Sequence, residues 1–403
     1  MIFNELNVKR YSSEWWFNIL VYVVWGQTLL SFVRPVLNML PVIRNFTDFL
    51  IPLFVILPLF FSLPYFLKKL KIFDYLFYIL TVFIYYLNFA LYPENTELLI
   101  ERAYSFLCLV LPVYFIGRLI NFENVEKGLA TISYLVIYIY ALYYLFYIGG
   151  VAKADSNMDY NMGASYNILP HVLLVLWQMM KRFSAFNILT SLLGILMILS
   201  FGTRGPLVCS ISFVLIYVLF ITKFRHQILL KTIIAFLGAL FLMFLDPIML
   251  GIQYLLTSIG MSTRITDYYF ESILDVSLGR DYIKETLYDV MQSENYFFGH
   301  GILSSYNYVD TYPHNLYLEL VFSFGYIPGI LLLLLLTTMF IVAYKKFNNT
   351  YMRSFLCVLM CASVIKLLMS GSFLYEDLLF FLIGYCVNII NERNAKCHYN
   401  NIF

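Results

Sequence analysis

Charged side chains are scarce in this chain. Only 12% of its 403 residues are Asp, Glu, Lys or Arg, and 61% are hydrophobic. Soluble globular domains are about a quarter charged and about half apolar. The composition therefore excludes a soluble domain and indicates an integral membrane protein. The formal net charge of +2 gives no sign of a nucleic-acid partner, and none is expected.

The sequence also lacks the cysteine and histidine patterns that carry redox or metal chemistry. Five of the six cysteines fall inside apolar runs, and the sixth, Cys397, lies in the C-terminal tail. No disulfide is therefore expected. No CxxC pair or zinc-type Cys/His spacing occurs, and we expect neither a metal nor a cofactor. Linkers and repeats are absent too, so residues 1–403 are predicted to form a single transmembrane domain.

Long apolar runs, by contrast, recur along the whole chain. A helix needs about 20 mostly apolar residues to cross a hydrocarbon core of about 30 Å. We count about twelve such runs and predict an all-α, polytopic fold. The predicted spans are 17–33, 49–67, 72–92, 98–116, 128–148, 163–180, 185–201, 206–222, 227–246, 315–343, 354–372 and 374–390. No cleavable signal peptide is expected, so the first span should remain as an anchor.

The basic residues predict the orientation. They concentrate in alternate loops, as at Lys68, Lys69 and Lys345, while the short loops between hold few. The positive-inside rule assigns the basic side to the cytoplasm, which places both termini there. The segment 247–313 is then one large loop on the outer face, and it is predicted to carry short helices.

One such helix is predicted in the sequence GRDYIKETLYDVM. Ile283, Leu287, Val290 and Met291 form an apolar stripe at helical spacing, so this helix is expected to lie on, or dip into, the membrane surface. Three cations of the loop are candidates for binding an anion. They are Arg264, Arg280 and Lys284. Arg264 and Lys284 could equally belong to a solvated face. Arg280 follows Gly279 at a predicted helix start, so it is the stronger candidate.

A second candidate lies in the short hairpin LSFGTRGPLVCS, residues 199–210. Pro206 suits the first turn of a helix, and Thr203 or Gly205 suits its cap. Arg204 then stands at the outer boundary of the membrane. Its guanidinium group either extends to the lipid headgroups or binds an anion with its planar fork.

The third candidate is the sequence YPHNLYLEL. Pro313 moves the preceding residue out of the α region, so His314 or Asn315 should cap a helix that runs to Ala343. A helix N-terminus attracts phosphate and disfavours a charged imidazole. A neutral His314 could accept a proton there. Alternatively, it simply caps the helix.

Two ionisable residues fall inside predicted spans. Lys366 is a functional candidate by default, with Glu376 or Asp377 as its partner, and the alternative is a lysine that extends to the interface. His171 is either a core histidine bonded to a neighbouring helix, which we favour, or a residue that lines a cavity.

Taken in order, these motifs resemble those of the Wzy-type O-antigen polymerases and the related O-antigen ligases. The resemblance covers residues 199–335 in detail. It rests on a T-R-G hairpin, then G-R before an amphipathic helix, then G-x-G, then H-N-x-x-L-E and a glycine. The matching residues are Thr203, Arg204, Gly205, Gly279, Arg280, Gly299, Gly301, His314, Asn315, Leu318, Glu319 and Gly325.

The resemblance implies a metal-independent, inverting GT-C-type glycosyltransferase in the bacterial inner membrane, with a periplasmic active site. Its substrate would be oligosaccharide on undecaprenyl pyrophosphate, and membrane lipid and a chain-length regulator protein would be further partners. Arg204 and Arg280 would bind the pyrophosphate, and His314 would activate the acceptor hydroxyl. The further substrate-binding residues are Arg264, Lys284, Asn315, Glu319 and His300, with His300 a rival for proton transfer and Glu319 or Asp310 as carboxylate alternatives.

A polymerase would transfer the glycan to another lipid-linked repeat unit, whereas a ligase would transfer it to lipid A core. A flippase of about twelve spans is the alternative from another class. Transporters place charges at the membrane midplane, whereas here the charges concentrate in the outer loop. This argues against a flippase. The polymerase is favoured over the ligase because sequences rich in Tyr, Phe, Asn and Lys, as this one is, are common in polymerases of individual glycan clusters.

Overall fold

The computed structural model describes residues 13–29, 47–144, 162–201, 203–221, 245–258, 266, 278–293, 297–346 and 350–400. All regular elements in these ranges are helical, which confirms the predicted all-α class. The α-helices are Ser13–Trp25, Thr47–Lys69, Ile72–Leu91, Thr96–Tyr104, Val113–Leu119, Phe122–Tyr143, Met162–Lys181, Ala185–Ser200, Arg204–Ile216, Leu245–Ser258, Leu278–Ser293, Tyr306–Val309, Leu316–Phe324, Tyr326–Lys346, Thr350–Met360, Lys366–Met369 and Asp377–Asn400.

Six helical stretches within the described ranges are long and apolar enough to cross a membrane, fewer than the twelve or so predicted. They are Ile72–Leu91, Pro93–Leu119, Phe122–Tyr143, Arg204–Ile221, Tyr326–Lys346 and Thr350–Met369. Ala185–Ser200 and Asp377–Asn391 are shorter apolar helices. Most of the predicted span 227–246 lies outside the described residues. The six long helices indicate a multi-pass membrane protein.

The helical bundle has two polar ends. At the first, which we call the Asp74 end, the Asp74 carboxylate accepts a 2.9 Å bond from the Arg118 guanidinium, and Arg118 donates to Asn388 at 3.2 Å. Both Asp74 and Arg118 are buried. The two charges are tolerated in the interior because they are paired and hydrogen-bonded. The network also joins the three helices that carry Asp74, Arg118 and Asn388.

We call the opposite end of the bundle the His314 end. Here the turn after the Ile72–Leu91 helix meets residues 298–300. Asn95 follows the Ile72–Leu91 helix and donates to the His300 carbonyl at 3.0 Å. Tyr92 donates to the Phe298 carbonyl at 3.0 Å. Segments about 200 residues apart are therefore fastened together here. Every sequence-predicted site residue that the structure describes with its side chain lies at this end.

The predicted span 315–343 is wrong, because the chain breaks at Gly325. One helix ends at Phe324 and the next begins at Tyr326. Gly325 has φ +88°, and a Cβ atom there would lie 2.2 Å from the Phe297 carbonyl oxygen. Only glycine accepts that backbone and that contact. A nine-residue helix, too short to cross the membrane, therefore precedes the long apolar one.

The predicted apolar stripe of the Leu278–Ser293 helix exists, but it faces protein. Leu287 and Met291 are buried against Leu318, Val321 and Phe322 of the short helix, with Ile283 and Val290 beside them. The apolar stripe of this helix therefore contacts protein in the structure. Its burial supports the helix that follows His314.

Candidate functional site

Asn315, rather than His314, caps the short helix Leu316–Phe324. Its side-chain oxygen accepts a 3.2 Å hydrogen bond from the Leu318 amide, and its amide group donates to the Leu368 carbonyl at 3.2 Å. The first bond satisfies one of the amides that a helix start leaves open. Both the oxygen and the NH₂ group of the Asn315 side chain are thus used in structural hydrogen bonds.

His314 stands immediately before this cap in a left-handed backbone conformation, with φ +56°. Non-glycine residues seldom adopt this region, and a site that holds one there deserves a functional hypothesis. The imidazole is partly buried, its Nδ1 atom lies 3.3 Å from Ser370 Oγ, and its ring centroid lies 4.2 Å from that of Tyr312. The backbone thus turns the imidazole away from the cap and towards Ser370.

Glu319 fastens the segment 370–376 to the short helix. Its carboxyl group accepts hydrogen bonds from the Ser372 hydroxyl and, at 3.1 Å, from the Phe373 amide. The residue is 5% exposed, and burial raises the pKa of Glu319 to about 8, against the opposing effect of its two donors. Glu319 therefore positions the segment that carries Ser370.

A second buried polar group lies on the same segment. Lys366 Nζ is 2.5 Å from Glu376 Oε2, as the sequence suggested for this pair. The neighbouring Asp377 accepts a bond from the Gln27 amide and, at 2.8 Å, one from the Leu378 amide. Lys366 is thus paired within the protein and does not simply extend to the interface.

Arg204 is the first residue of the helix Arg204–Ile216, and its side chain is exposed. Thr203 occupies the cap position, one of the two options predicted, and its hydroxyl donates to Ser165 at 2.5 Å. A Cβ atom at Gly205 would lie 1.9 Å from the Tyr166 hydroxyl. The T-R-G sequence therefore packs tightly, through Gly205, against the helix that contains Tyr166.

His300 belongs to the other end of the short helix. Its amide donates to the Phe322 carbonyl at 3.0 Å, and the Gly301 amide donates to the Ser323 carbonyl at 2.9 Å. These bonds satisfy carbonyl groups at the helix C-terminus. The helix Leu316–Phe324 has nine residues, so a rise of 1.5 Å per residue puts its two ends about 12 Å apart. The structure thus places His300 and His314 at opposite helix ends.

The cations of the outer loop are only partly described. Lys284 is exposed, and its nearest acidic partner is Asp281, at 3.8 Å on its own helix. A solvated helix face carries pairs of this kind. Arg280 lies in the first turn of the helix Leu278–Ser293, as predicted, and its side chain lies outside the described residues. Arg264 lies outside them entirely.

The segment 370–377, sequence SGSFLYED, is the part that sequence reasoning missed. The predicted spans 354–372 and 374–390 leave only residue 373 between them. The structure instead ends one helix at Met369 and starts the next at Asp377. The signal was present, because a glycine between two serines is a typical helix stop. Gly371 has φ +107°.

His171 is a core residue, as favoured. It is fully buried, its Nε2 atom lies 3.0 Å from Thr28 Oγ1, and its Nδ1 atom lies 3.1 Å from Ser133 Oγ. Ser133 also receives a bond from Trp25 at 3.0 Å. The imidazole links three helices.

Comparison with known proteins finds no match for this chain. No family model, no curated protein and no solved structure is significantly similar to it.

Proposed function

We propose that this protein is a surface-polysaccharide polymerase, an O-antigen polymerase of the Wzy type. It would join repeat units linked to undecaprenyl pyrophosphate by metal-independent, inverting glycosyl transfer. The His314 end would face the periplasm of a bacterial inner membrane, with both termini in the cytoplasm. The order of the motifs in the sequence is the first support for this proposal.

One observation carries the proposal. The segment Lys366–Ser370 contacts both the imidazole of His314 and the helix that begins at Arg204. The T-R-G and H-N motifs lie about 110 residues apart along the chain. The segment Lys366–Ser370 therefore contacts elements that carry both motifs. A displacement at an anomeric carbon needs a base beside the acceptor and cations beside the leaving group, and this meeting supports such a site.

In this mechanism the acceptor hydroxyl oxygen attacks the anomeric carbon while the bond to the pyrophosphate oxygen breaks. The hydroxyl proton passes to His314. A bond from Nδ1–H to Ser370 Oγ leaves the imidazole lone pair on Nε2, which is then the basic atom. The developing charge on the pyrophosphate is stabilised by the guanidinium groups of Arg204 and Arg280, whose planar forks match phosphate oxygens.

Purified protein in lipid nanodiscs, supplied with a synthetic lipid-linked repeat unit, tests the proposal. We expect products that grow by whole repeat units on a gel, without a closed vesicle and with chelator present. Transfer to lipid A core without elongation would replace the polymerase by a ligase. Lipid translocation in vesicles without either transfer would replace it by a flippase.

A further inference from the structure

The ion pair between Lys366 and Glu376 is unevenly buried. The Lys366 side chain is 18% exposed and the Glu376 side chain 5%. The Lys366 side chain is therefore the more accessible member of the pair. Burying an ion pair costs about as much free energy as the attraction returns, so stability alone does not explain its presence in an apolar helix bundle.

The position of Lys366 links the two motifs of the proposed site. It begins the short helix that ends before Ser370, the residue beside His314. Its Nζ atom lies 5.7 Å from the ring centroid of Tyr166. The hydroxyl group of that same tyrosine packs against Gly205, next to Arg204. The ammonium group thus lies near the tyrosine that packs on Gly205, and its short helix leads directly to Ser370.

The charges around Lys366 are easily rearranged. Burial raises the pKa of Glu376 to about 7, although Lys366 opposes this effect. A carboxyl group with such a pKa takes up a proton near neutral pH at little cost. Asp377 is held by Gln27 and the Leu378 amide. Protonation of Glu376 would free the Lys366 ammonium to bind another anion, while Asp377 keeps the donors named above.

We propose that Lys366 is a third cation of the site, that it binds the diphosphate group of the lipid-linked donor, and that Glu376 is its counter-ion when no ligand is bound. This inference rests on the proposed function for the identity of the donor. Lysine suits this position because it acts as a compact point charge on a flexible stem.

Binding of inorganic pyrophosphate to the full-length protein in zwitterionic nanodiscs tests the assignment. We expect Lys366→Met to weaken binding by about tenfold or more, the usual worth of a charge-assisted hydrogen bond. Lys366→Arg should retain most of the affinity. Glu376→Gln removes the competing charge, so its affinity should equal or exceed that of the natural chain.

The double variant Lys366→Met/Glu376→Gln separates binding from folding. Lys366→Met alone leaves a buried carboxyl unpaired and should lower Tm, whereas the double variant should recover Tm but still bind pyrophosphate weakly. If the double variant recovers both Tm and pyrophosphate affinity, the ion pair is purely structural and the assignment is overturned. The same holds if Glu376→Gln weakens pyrophosphate binding as much as Lys366→Met does. Failure of the natural chain to bind pyrophosphate would overturn it as well.

Nanodiscs with undecaprenyl pyrophosphate or with phosphatidylglycerol identify the source of the phosphate. A Lys366-dependent preference for the diphosphate lipid is expected. Equal dependence for phosphatidylglycerol would reduce Lys366 to a headgroup contact and overturn the assignment. Elongation assayed in the same preparations keeps the two proposals apart. Lys366-dependent pyrophosphate binding without elongation removes only the polymerase, whereas elongation with normal binding by Lys366→Met removes only the role of Lys366.

Discussion

The Nδ1 atom of His314 lies 3.3 Å from the Oγ atom of Ser370, a residue 56 positions further along the chain. Ser370 is buried and directly follows the short helix Lys366–Met369. This contact joins the loop before one helix to the loop between two others. It therefore fixes the imidazole with respect to the part of the bundle that also contacts the Arg204 helix.

Replacing His314 by alanine should lower the elongation rate by about a hundredfold or more, because a positioned base contributes at least that much. Ser370→Ala keeps the imidazole but removes its orienting partner, so a smaller loss is expected. Initial rates measured against pH would check this, since Ser370→Ala should also move the pH profile. A loss in His300→Ala equal to that in His314→Ala would contradict the assignment, because His300 packs at the far end of the short helix.

Arg204→Ala and Arg280→Ala should each abolish measurable elongation, because each removes a cation assigned to the leaving pyrophosphate. Arg204→Lys and Arg280→Lys should restore little activity, since lysine lacks the planar fork. Arg182→Ala is a matched control. Arg182 is exposed and directly follows the helix Met162–Lys181. Lys181, beside it, pairs with Glu126, so Arg182 lies away from the His314 end. Full activity of both alanine variants at normal protein level would refute the phosphate assignment.

Glu319 should make stability depend on pH. Its pKa rises from 4.5 to about 8 on folding, so the folded state binds the proton more tightly than the unfolded state. The resulting stabilisation is complete below about pH 4.5 and is lost as the pH rises through about 8. Glu319→Gln cannot titrate, so the Tm difference between the natural chain and this variant should change across that window. A difference that stays constant from pH 4.5 to 8 would contradict this expectation.

Gly325→Ala should destabilise the protein. Its backbone, with φ +88° and ψ 168°, lies in a region that is essentially restricted to glycine and costs an L-residue about 1–3 kcal/mol, and the added Cβ would collide with the Phe297 carbonyl. Gly251→Ala is the matched control. It lies within the helix Leu245–Ser258 and a Cβ there meets no atom within 4 Å. Because alanine favours a helix by about 0.5–1 kcal/mol over glycine, this variant should be neutral or more stable. Thermal unfolding in detergent would compare the two, and equal Tm values would count against the tight turn.

Local rules accounted for much of the secondary structure. The 3.6-residue spacing of Ile283, Leu287 and Met291 identified an amphipathic helix, and the T-R-G-P sequence identified a helix start at Thr203. Asn315 was one of two caps predicted for its helix. These features depend on neighbours within one or two helical turns, so the sequence contains all the information they need.

The sequence by itself determined that this is an all-helical membrane protein, because apolar runs and short-range caps act through local geometry. Only the tertiary structure decided what those elements touch. The amphipathic helix packs on Leu318 and Phe322, and Glu319 fastens the segment 370–376. Gly325, where the chain breaks between two helices, packs against the Phe297 backbone. Such partners are selected by packing and by the need to pair buried polar groups, and both depend on residues that are distant along the chain.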